Sequence, residues 1–553
     1  MSLDLAGKRF LIIDDFAEAR DSMRQMLHNL GARRLDSSAS AEMALQMCRQ
    51  QRYDIIFCDY MLGAGRKDGQ QLLDELRHYK LLRHGCLFIM VSAETSQAGV
   101  MGALEHQPDS YLAKPFNQLM LGKRLQRLMR FKQATRSLDQ ALDDKRLGKA
   151  RLICEEAISA GAAYSEHFQK QLGQILLQLG ELEQARRLYR HILHDRALPW
   201  AQLGLAETEY RSEDYTRAER ILSGLLDDNP MLLPAYDWLA RCQLRLDRPR
   251  EAQTTLEKAA RLSPRAVLRH CELGRLARRN RDSEAAADAY KNAARLALNT
   301  IHQNPNNELN WARSLTEVSE LPEHNGAATA RSQAHRVIGD AVRRYPSDSQ
   351  LLMNTELLNT RLYSAEQRDR EAKAAMAKAE RLLAAGDIPV DQDAALDMVR
   401  AHKAIGRHDQ ARQLLQTLTL EDHENQLLRD ELEQLGGMAQ RETPQQEACR
   451  EANQRGMSFY LTRDYDAAIT AFEEGLAESP DNISINLNLA QALIMRMRQH
   501  GVSEDDLERA RRALSTGDRL GLSDYRQERH QELKRLFESV DRQAEGSVRD
   551  QSA

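Results

Sequence analysis

A spacing of about 34 residues is the feature that most limits how this chain of 553 residues can fold. In residues 166–297, Leu-Gly or Leu-Ala pairs place a small residue at steps of 33 or 34, an alanine follows twelve residues later, and a large side chain follows four residues after that. The four sets are Gly173, Ala185 and Tyr189; Ala206, Ala218 and Leu222; Ala240, Ala252 and Leu256; and Gly274, Ala286 and Tyr290. Small residues let two helices approach closely, and the large residue fills the gap to the next pair. The spacing therefore predicts stacked helix pairs, an α-solenoid.

The same spacing returns near the C-terminal end and weakens between the two arrays. Gly456, Ala468 and Phe472 repeat the small, alanine and large order, and Pro480 closes the unit as Pro264 closes an earlier one. Between residues 298 and 445 the helical pattern persists with longer loops. We predict helical repeats in 132–297 (best in about 166–297), degenerate helical pairs in 298–445, repeats and capping helices in 446–538, and a disordered tail in 539–553.

Residues 1–131 follow a different pattern. Short β-branched or apolar runs at 9–13, 53–58, 86–91 and 110–113 alternate with amphipathic helical stretches, and RRLDSS supplies a weaker second strand. Five strands alternating with helices over about 120 residues predict a doubly wound α/β domain. Such sheets bind ligands where the carboxyl ends of the strands meet.

Polar side chains follow the predicted strands. Asp14 and Asp15 come after the first strand, Asp59 after the third, Ser92 ends the fourth, and Lys114 follows the fifth. Three carboxylates at one edge repel each other unless a cation is bound, and Mg²⁺ prefers such oxygen ligands. A lysine ammonium and a serine hydroxyl are donors that stabilise phosphoryl oxygens. Each residue by itself also fits a helix cap, a turn or a solvated position, but their combination favours a metal and phosphoryl site.

The motifs LIIDD, IIFCD, MVSAE and YLAKPF carry a resemblance to the receiver domain of two-component response regulators. The resemblance implies a flavodoxin-like sheet with strand order 2-1-3-4-5. It also implies that Asp59 accepts a phosphoryl group from a sensor histidine kinase. By the same resemblance, Mg²⁺ is held by Asp14, Asp15, the Asp59 carboxylate and the backbone carbonyl of Met61.

The resemblance also assigns residues that respond to the phosphoryl group. Lys114 would contact the phosphoryl oxygens, and Ser92 would hydrogen-bond them after transfer. Tyr111 matches an aromatic residue that turns inward on activation, and a partly buried strand aromatic explains the same residue equally well.

The loop after the acceptor departs from the family pattern. It reads DYMLGAGRKDG, with Leu62 where the family usually has proline, and this puts the loop geometry and the lifetime of the phosphate in question. Met61 and Glu94, two residues past Asp59 and Ser92, would flank the path of attacking water and tune dephosphorylation.

The helical spacing resembles that of tetratricopeptide repeats, best at 166–297 and 449–495. Repeats of this family form a superhelix whose inner groove binds peptides or whole proteins, so the resemblance implies an unidentified protein partner. Exposed aromatic and arginine residues suit binding hot spots, although a charged residue on a repeat helix is often only solvated. The candidate groove residues are Trp200, Tyr210, Arg241, Arg275, Arg278, Asn453 and Tyr460.

Composition excludes several classes of protein. Lys+Arg total 78 and Asp+Glu 82, a net charge of -4 without a long basic run, so we expect no nucleic-acid binding. Seven cysteines without a CxxC pair support neither a disulfide framework nor a zinc site. The apolar runs FLII and LFIMV are too short for a signal-peptide core or a membrane span. We therefore expect a cytoplasmic protein that does not bind membranes.

Together with these features, the two resemblances imply a phosphorylation-controlled response regulator of bacterial type, with Mg²⁺ as cofactor and protein binding by the repeats as output. Because no second set of reactive residues follows residue 131, we expect no enzymatic activity beyond phosphoryl acceptance and self-dephosphorylation. One alternative is a phosphate sink or scaffold that competes for a kinase, and another is a DNA-binding transcription regulator. Homodimerisation and the sign of the response stay open at this point.

Overall fold

The computed structural model describes residues 5–63, 67–93, 108–321, 325–385, 388, 390–421, 444–461, 464–520 and 526–550. Within these residues it contains a five-stranded parallel sheet with helices, followed by many consecutive helices, which confirms the predicted fold class. The chain divides into two compact units, Met1–Trp311 and Ala312–Ala553. Among the described helices, none has both the length and the apolar character that crossing a membrane requires.

Five parallel strands form the sheet: β1 (Arg9–Ile13), β2 (Arg34–Ser38), β3 (Ile55–Asp59), β4 (Leu87–Ser92) and β5 (Ser110–Ala113). Their order is β2-β1-β3-β4-β5, as the resemblance implied. Strands β3 and β4 are buried throughout and β1 almost throughout, because helices cover both faces of a parallel sheet. Strand β2 lies at an edge and is only partly buried, which explains its weak sequence signal.

Helices cover the two faces of the sheet in pairs. The helices of this domain among the described residues are α1 (Ala17–Asn29), α2 (Ala41–Gln50), α3 (Gly69–His78) and α4 (Gln118–Asp143). Along β1, Phe10 packs in one core cluster with Leu27 of α1 and Leu121 of α4. Leu11 packs in the other cluster with α2 and with Leu72 of α3. Successive side chains of a strand point to opposite faces, so these clusters are the two sides of the sheet.

Helix α4 connects the sheet to the repeats without a break. The predicted amphipathic segment 117–133 supplies its first part, and the helix continues past residue 131, our predicted domain boundary, to Asp143. Lys132 forms an ion pair with Asp109 at 3.2 Å. Asp143 accepts the backbone amide of His84 at 2.9 Å. The second part of α4 therefore stays bonded to loops of the α/β domain.

Consecutive helices follow α4 in the first unit. They are α5 (Leu147–Ser159), α6 (Ser165–Leu179), α7 (Leu182–Asp195), α8 (Pro199–Arg211), α9 (Tyr215–Asp228), α10 (Leu233–Arg245), α11 (Pro249–Leu262), α12 (Val267–Arg279) and α13 (Ser283–Ala297). Helix α14 (Pro305–Ser319) runs from the first unit into the second.

Glycines that receive an aromatic ring explain the repeat spacing. A Cβ atom on Gly173 would overlap the ring of Tyr189, and one on Gly274 would lie 2.8 Å from the ring of Tyr290. The predicted small and large residues are therefore in contact, as close packing of paired helices requires. Gly204, which the sequence pattern did not include, also packs directly on Tyr189.

The second unit is helical in its described part. Its helices are α15 (Ala327–Arg344), α16 (Ser349–Ala365), α17 (Asp369–Ala385), α18 (Gln392–Ala404), α19 (His408–Glu421), α20 (Pro444–Leu461), α21 (Tyr465–Glu478), α22 (Ile483–His500), α23 (Glu504–Thr516) and α24 (Gln527–Asp550). Gly456 packs against Phe472, the same small and large contact as in the first array. Helix α24 includes residues 539–550, which we predicted to be part of a disordered tail.

A buried ionic network lies in the second unit. Arg361 is fully buried and donates to both carboxylate oxygens of Glu320, at 2.9 and 2.6 Å, and to Asp397 at 3.0 Å. Asp397 also accepts from the Nε of buried Arg313 at 2.6 Å. Burial by itself lowers the pKa of Arg361, but Glu320 and Asp397 outweigh it and raise that pKa above its ordinary value. The network joins residues on α14, α16 and α18.

His167 makes the stability of the first unit depend on pH. Its ring packs edge-on against Phe131 of α4, with centroids 4.8 Å apart, and burial together with Lys132 and Lys170 lowers the pKa of His167 from 6.5 to about 4. The unfolded chain therefore takes up this proton below pH about 6.5, and the folded chain only below about 4, so stability falls as the pH is lowered through this window.

We expect wild type to lose about 1–2 kcal/mol more stability between pH 7 and pH 5 than His167→Gln. Urea unfolding followed by tryptophan fluorescence measures the difference, because all three tryptophans lie in the first unit. Equal pH dependence in the two proteins would contradict the prediction.

Candidate functional site

The polar residues that follow the strands meet at one edge of the sheet. Asp14 directly follows β1, Asp59 ends β3, Ser92 ends β4 and Lys114 directly follows β5. Because the strands are parallel, their carboxyl ends share that edge. Asp14, Asp15 and Asp59 each offer a carboxylate oxygen within 4.8 Å of the others. The structure thus brings the three predicted carboxylates into one cluster.

Lys114 lies between two of these carboxylates. Its Nζ is 2.8 Å from Asp14 Oδ2 and 3.3 Å from Asp59 Oδ2. Burial raises the pKa of Asp59 to about 6; Lys114 opposes the rise and Asp14 adds to it. Burial lowers the pKa of Lys114, but its hydrogen bonds and ion pairs with the two carboxylates raise it above its ordinary value. At neutral pH, Asp59 is therefore mostly ionised beside a fixed positive charge.

The donor set of this cluster fits a hard divalent cation. Asp15 Oδ1 is buried and has no hydrogen-bond partner among the described residues. Leaving a carboxylate oxygen buried without a partner is costly, and a cation removes that cost. Carboxylate oxygens are the ligands that Mg²⁺ prefers. The cluster of Asp14, Asp15 and Asp59 is typical of the magnesium site that the receiver resemblance implies.

Of the four other residues predicted for this site, three lie among the described residues. Met61 is exposed just after β3. Ser92 is buried, and its carbonyl accepts the amide of Lys114 at 2.8 Å, which ties the ends of β4 and β5 together. Tyr111 is partly buried and packs against the core cluster beneath α2 and α3. Glu94 lies outside the described residues.

Gly69 is a residue of this site that the sequence did not single out. It begins α3, and its amide donates to the carbonyl of Tyr60 at 2.9 Å. A Cβ atom here would overlap the carbonyl oxygen of Asp59 and lie 2.9 Å from Cys58 Sγ. From the sequence we noted only that the loop after Asp59 is rich in glycine. The need for glycine at this one position follows from the close approach of α3 to the end of β3.

Two predicted groove residues of the first unit, Tyr210 and Arg241, belong to an aromatic cluster on α8, α9 and α10. The ring of Tyr210 packs edge-on against Trp238 and Tyr215, with centroids 5.2 and 5.3 Å apart. The Arg241 guanidinium lies 4.8 Å from the centre of the Trp238 ring. Trp200 donates its indole N–H to Glu166 at 3.0 Å. Trp238 and Tyr215 were absent from our prediction, because the sequence does not show which residues of adjacent helices they contact.

The remaining predicted groove residues are divided between the two units. Arg275 of α12 forms an ion pair with Glu272 at 2.5 Å, and Arg278 lies in the last turn of the same helix. In the second unit, Asn453 and Tyr460 lie on α20, and each hydrogen-bonds a side chain of α22. The seven candidates therefore do not form one continuous set within either unit.

Comparisons with known proteins show that the α/β domain is similar to proteins of known identity. The chemotaxis protein CheY of Pseudomonas aeruginosa is 25% identical over 120 residues, which is 22% of this chain and 94% of CheY. The transcriptional regulatory protein YvrH of Bacillus subtilis is 29% identical over 115 residues, which is 21% of this chain. The match spans about half the length of YvrH, 46%. A solved CheY-like receiver domain protein from Methanospirillum hungatei is 25% identical with a TM-score of 0.21, covering 23% of this chain and 96% of that one.

Two family models match separate parts of the chain. Residues 10–126 match the response regulator receiver domain. Residues 170–231 and 239–299 match the tetratricopeptide repeat. The first match contains the carboxylate cluster, and the second contains the helices in which Gly173 and Gly274 receive their aromatic partners. The chain therefore contains an N-terminal response regulator receiver domain of the CheY-like kind and, C-terminal to it, tetratricopeptide repeats.

Proposed function

We propose that this protein is a phosphorylation-controlled response regulator of the cytoplasm. In this proposal a sensor histidine kinase phosphorylates Asp59, and the repeats act by binding another protein. The observation that carries the proposal is the position of Asp59, within 4.8 Å of the other two carboxylates of the cluster and 3.3 Å from Lys114. A nucleophilic carboxylate, a cation site and a fixed ammonium are the groups that phosphoryl transfer requires.

The residues of the cluster would divide the work of the transfer. An Asp59 oxygen forms the new P–O bond as the P–N bond to the kinase histidine breaks, and the imidazole nitrogen keeps the electron pair of that bond. Lys114 offsets negative charge on the transferred oxygens. Mg²⁺, held by Asp14, Asp15, Asp59 and the backbone carbonyl of Met61, would neutralise and orient those oxygens when bound. With a pKa of about 6, Asp59 is mostly in its nucleophilic form at neutral pH.

Further receiver residues would respond to the phosphoryl group after transfer. We propose that the Ser92 hydroxyl moves to hydrogen-bond a phosphoryl oxygen. We also propose that Tyr111 turns inward in response. Met61 and Glu94 would set the rate of hydrolysis. Among these, Met61 is exposed and lies two residues after Asp59, which supports a role beside the path of attacking water.

The aromatic cluster on α8–α10 supports protein binding as the output. Tyr210, Tyr215 and Trp238 pack together, and Arg241 and Arg245 lie over their rings at 4.8 and 5.1 Å. Tyrosine, tryptophan and arginine concentrate binding energy at interfaces, since they combine large apolar surfaces with polar groups. A protein segment with acidic and apolar side chains is the kind of partner that suits this surface.

Substitution Asp59→Asn is expected to abolish phosphorylation, because an amide oxygen is not a nucleophile that forms an acyl phosphate. Intact-mass measurement after incubation with acetyl phosphate and Mg²⁺ is the test. Wild type should gain one phosphoryl group and Asp59→Asn none. The matched control is Asp21→Asn, on the exposed face of α1, which should react as wild type does. Equal phosphorylation of all three proteins would rule out Asp59 as the acceptor.

The output is tested by pull-down from lysate with beryllofluoride and Mg²⁺, without beryllofluoride, and with Asp59→Asn. A partner retained in only one phosphorylation-mimic state supports a phosphorylation-controlled binding protein. The same partner retained in every state supports the alternative, a scaffold or phosphate sink. DNA retention with a steep salt dependence would instead favour a transcription regulator.

A further inference from the structure

We propose that Arg265, in the turn between α11 and α12, binds the loop that follows Asp59, and binds it more tightly when Asp59 is phosphorylated. This contact would be the route by which the repeats respond to the receiver. The inference rests on the proposed function, since it takes Asp59 as the phosphoryl acceptor. It adds a role for a repeat residue that is not part of the receiver site.

Arg265 reaches the receiver from far along the chain. Its guanidinium donates to the Tyr60 hydroxyl at 3.3 Å and to Asp68 Oδ2 at 3.2 Å. The guanidinium carbon also lies 5.6 Å from the centre of the Tyr60 ring. The Arg265 side chain is 46% exposed and that of Asp68 15%. One arginine therefore makes a hydrogen bond, an ion pair and a cation–π contact with a single loop.

Repeat packing does not require arginine at this position. The residue 34 positions earlier is Met231, and the residue 34 positions later is Asn299. The turn that carries Arg265 is fixed independently, because His270 Nε2 lies 2.9 Å from the carbonyl of Pro264. The arginine is thus presented by a preformed turn, and its partners are receiver groups.

The two residues that Arg265 contacts stand at the two ends of the loop after Asp59. The amide of Tyr60 donates to Asp59 Oδ1 at 3.0 Å, and the carbonyl of Tyr60 accepts the amide of Gly69 at 2.9 Å. Asp68 uses its other oxygen, Oδ1, to cap α3 at 2.8 Å, which leaves Oδ2 for Arg265. Backbone and side-chain bonds therefore connect the Asp59 carboxylate to both groups that hold the arginine.

The charge of the phosphoryl group determines whether phosphorylation of Asp59 strengthens or weakens the Arg265 contact. At constant Mg²⁺, replacing a carboxylate by its phosphorylated form adds about one negative charge to the site. The added negative charge attracts the Arg265 guanidinium, because Arg265 contacts Tyr60, the residue next to Asp59. Salt weakens this attraction, because the contact is half exposed to solvent. By reciprocity, a contact that phosphorylation strengthens must in turn favour the phosphorylated form.

The test measures how tightly beryllofluoride binds to full-length protein at saturating Mg²⁺, by ¹⁹F NMR. We expect Arg265→Ala to weaken beryllofluoride binding about three- to fivefold at low salt, and Arg265→Lys to recover part of the loss. The matched control is Arg261→Ala, an exposed arginine in the last turn of α11, which should bind as wild type does. The difference between wild type and Arg265→Ala should shrink at high salt.

Hydrogen exchange gives an independent reading of the same contact. Beryllofluoride should slow exchange in residues 262–268 of wild type and leave them unchanged in Arg265→Ala. If wild type binds beryllofluoride through Asp59 but Arg265→Ala binds it equally well or more tightly, the inference is overturned while the proposed function stands. If wild type binds no more beryllofluoride than Asp59→Asn does, both are overturned.

Discussion

Replacing Asp397 by alanine is expected to lower the free energy of unfolding of the second unit by about 3–5 kcal/mol. Asp397 is 1% exposed and accepts hydrogen bonds from two buried arginines, Arg313 and Arg361. Removing the carboxylate leaves two positive charges away from water with one fewer counter-charge. Loss of one partner from a buried ion pair is costly for this reason, even where the intact pair adds little.

Hydrogen exchange in α18 is the measurement for Asp397→Ala, because no tryptophan lies in the second unit. The control is Glu380→Ala, whose ion pair with Arg407 is exposed on both sides and should change stability by less than about 1 kcal/mol. The double variant Arg313→Met, Asp397→Leu should recover part of the loss, because it removes opposite charges together. A loss below 1 kcal/mol for Asp397→Ala would show that water or rearrangement compensates the arginines.

Gly69→Ala is expected to destabilise the receiver by about 1–3 kcal/mol and to slow phosphorylation of Asp59 at least tenfold. The added methyl group would overlap the carbonyl oxygen of Asp59, which is backbone and cannot rotate away. Either α3 or the end of β3 must therefore move. Movement of β3 displaces the carboxylate relative to Lys114, and transfer depends on that placement.

The control for Gly69→Ala is the same substitution at Gly85, where a Cβ atom meets nothing within 4 Å. Hydrogen exchange in β3 measures stability, and phosphorylation by acetyl phosphate measures the rate. We expect Gly85→Ala to match wild type in both. If Gly69→Ala also matches wild type, then α3 must lie farther from Asp59 in solution than in the structure described here.

The sequence predicted the elements of the fold because their signals are local. Buried parallel strands are short apolar runs, and β3 and β4 were predicted within two residues of their bounds. The spacing of Gly173 and Tyr189 likewise predicted a helix pair whose members touch. Strand β2 gave a weaker signal, since an edge strand buries fewer of its side chains. The domain boundary near residue 131 stays a prediction, and α4 runs through it without a break.

The carboxylate cluster was predictable for a related reason. Once the strands are parallel, every residue that follows a strand must lie at one edge, so Asp14, Asp59 and Lys114 had to be neighbours. The residues that we propose for partner binding were harder to identify. Trp238 joins the aromatic cluster through Tyr210 of another helix, and no repeat position marks it in the sequence.

The sequence by itself determined the order of strands and helices, the repeat spacing and the edge of the sheet where the acidic residues meet. Each depends on the spacing of residues along the chain or on the direction of the strands. Only the tertiary structure decided that Gly69 must be glycine, that Arg361 and Asp397 are buried together, and that Arg265 reaches Tyr60, 205 residues away in the chain. These contacts join residues from different elements. A sequence pattern does not indicate which side chains that are distant along the chain will be in contact in the fold.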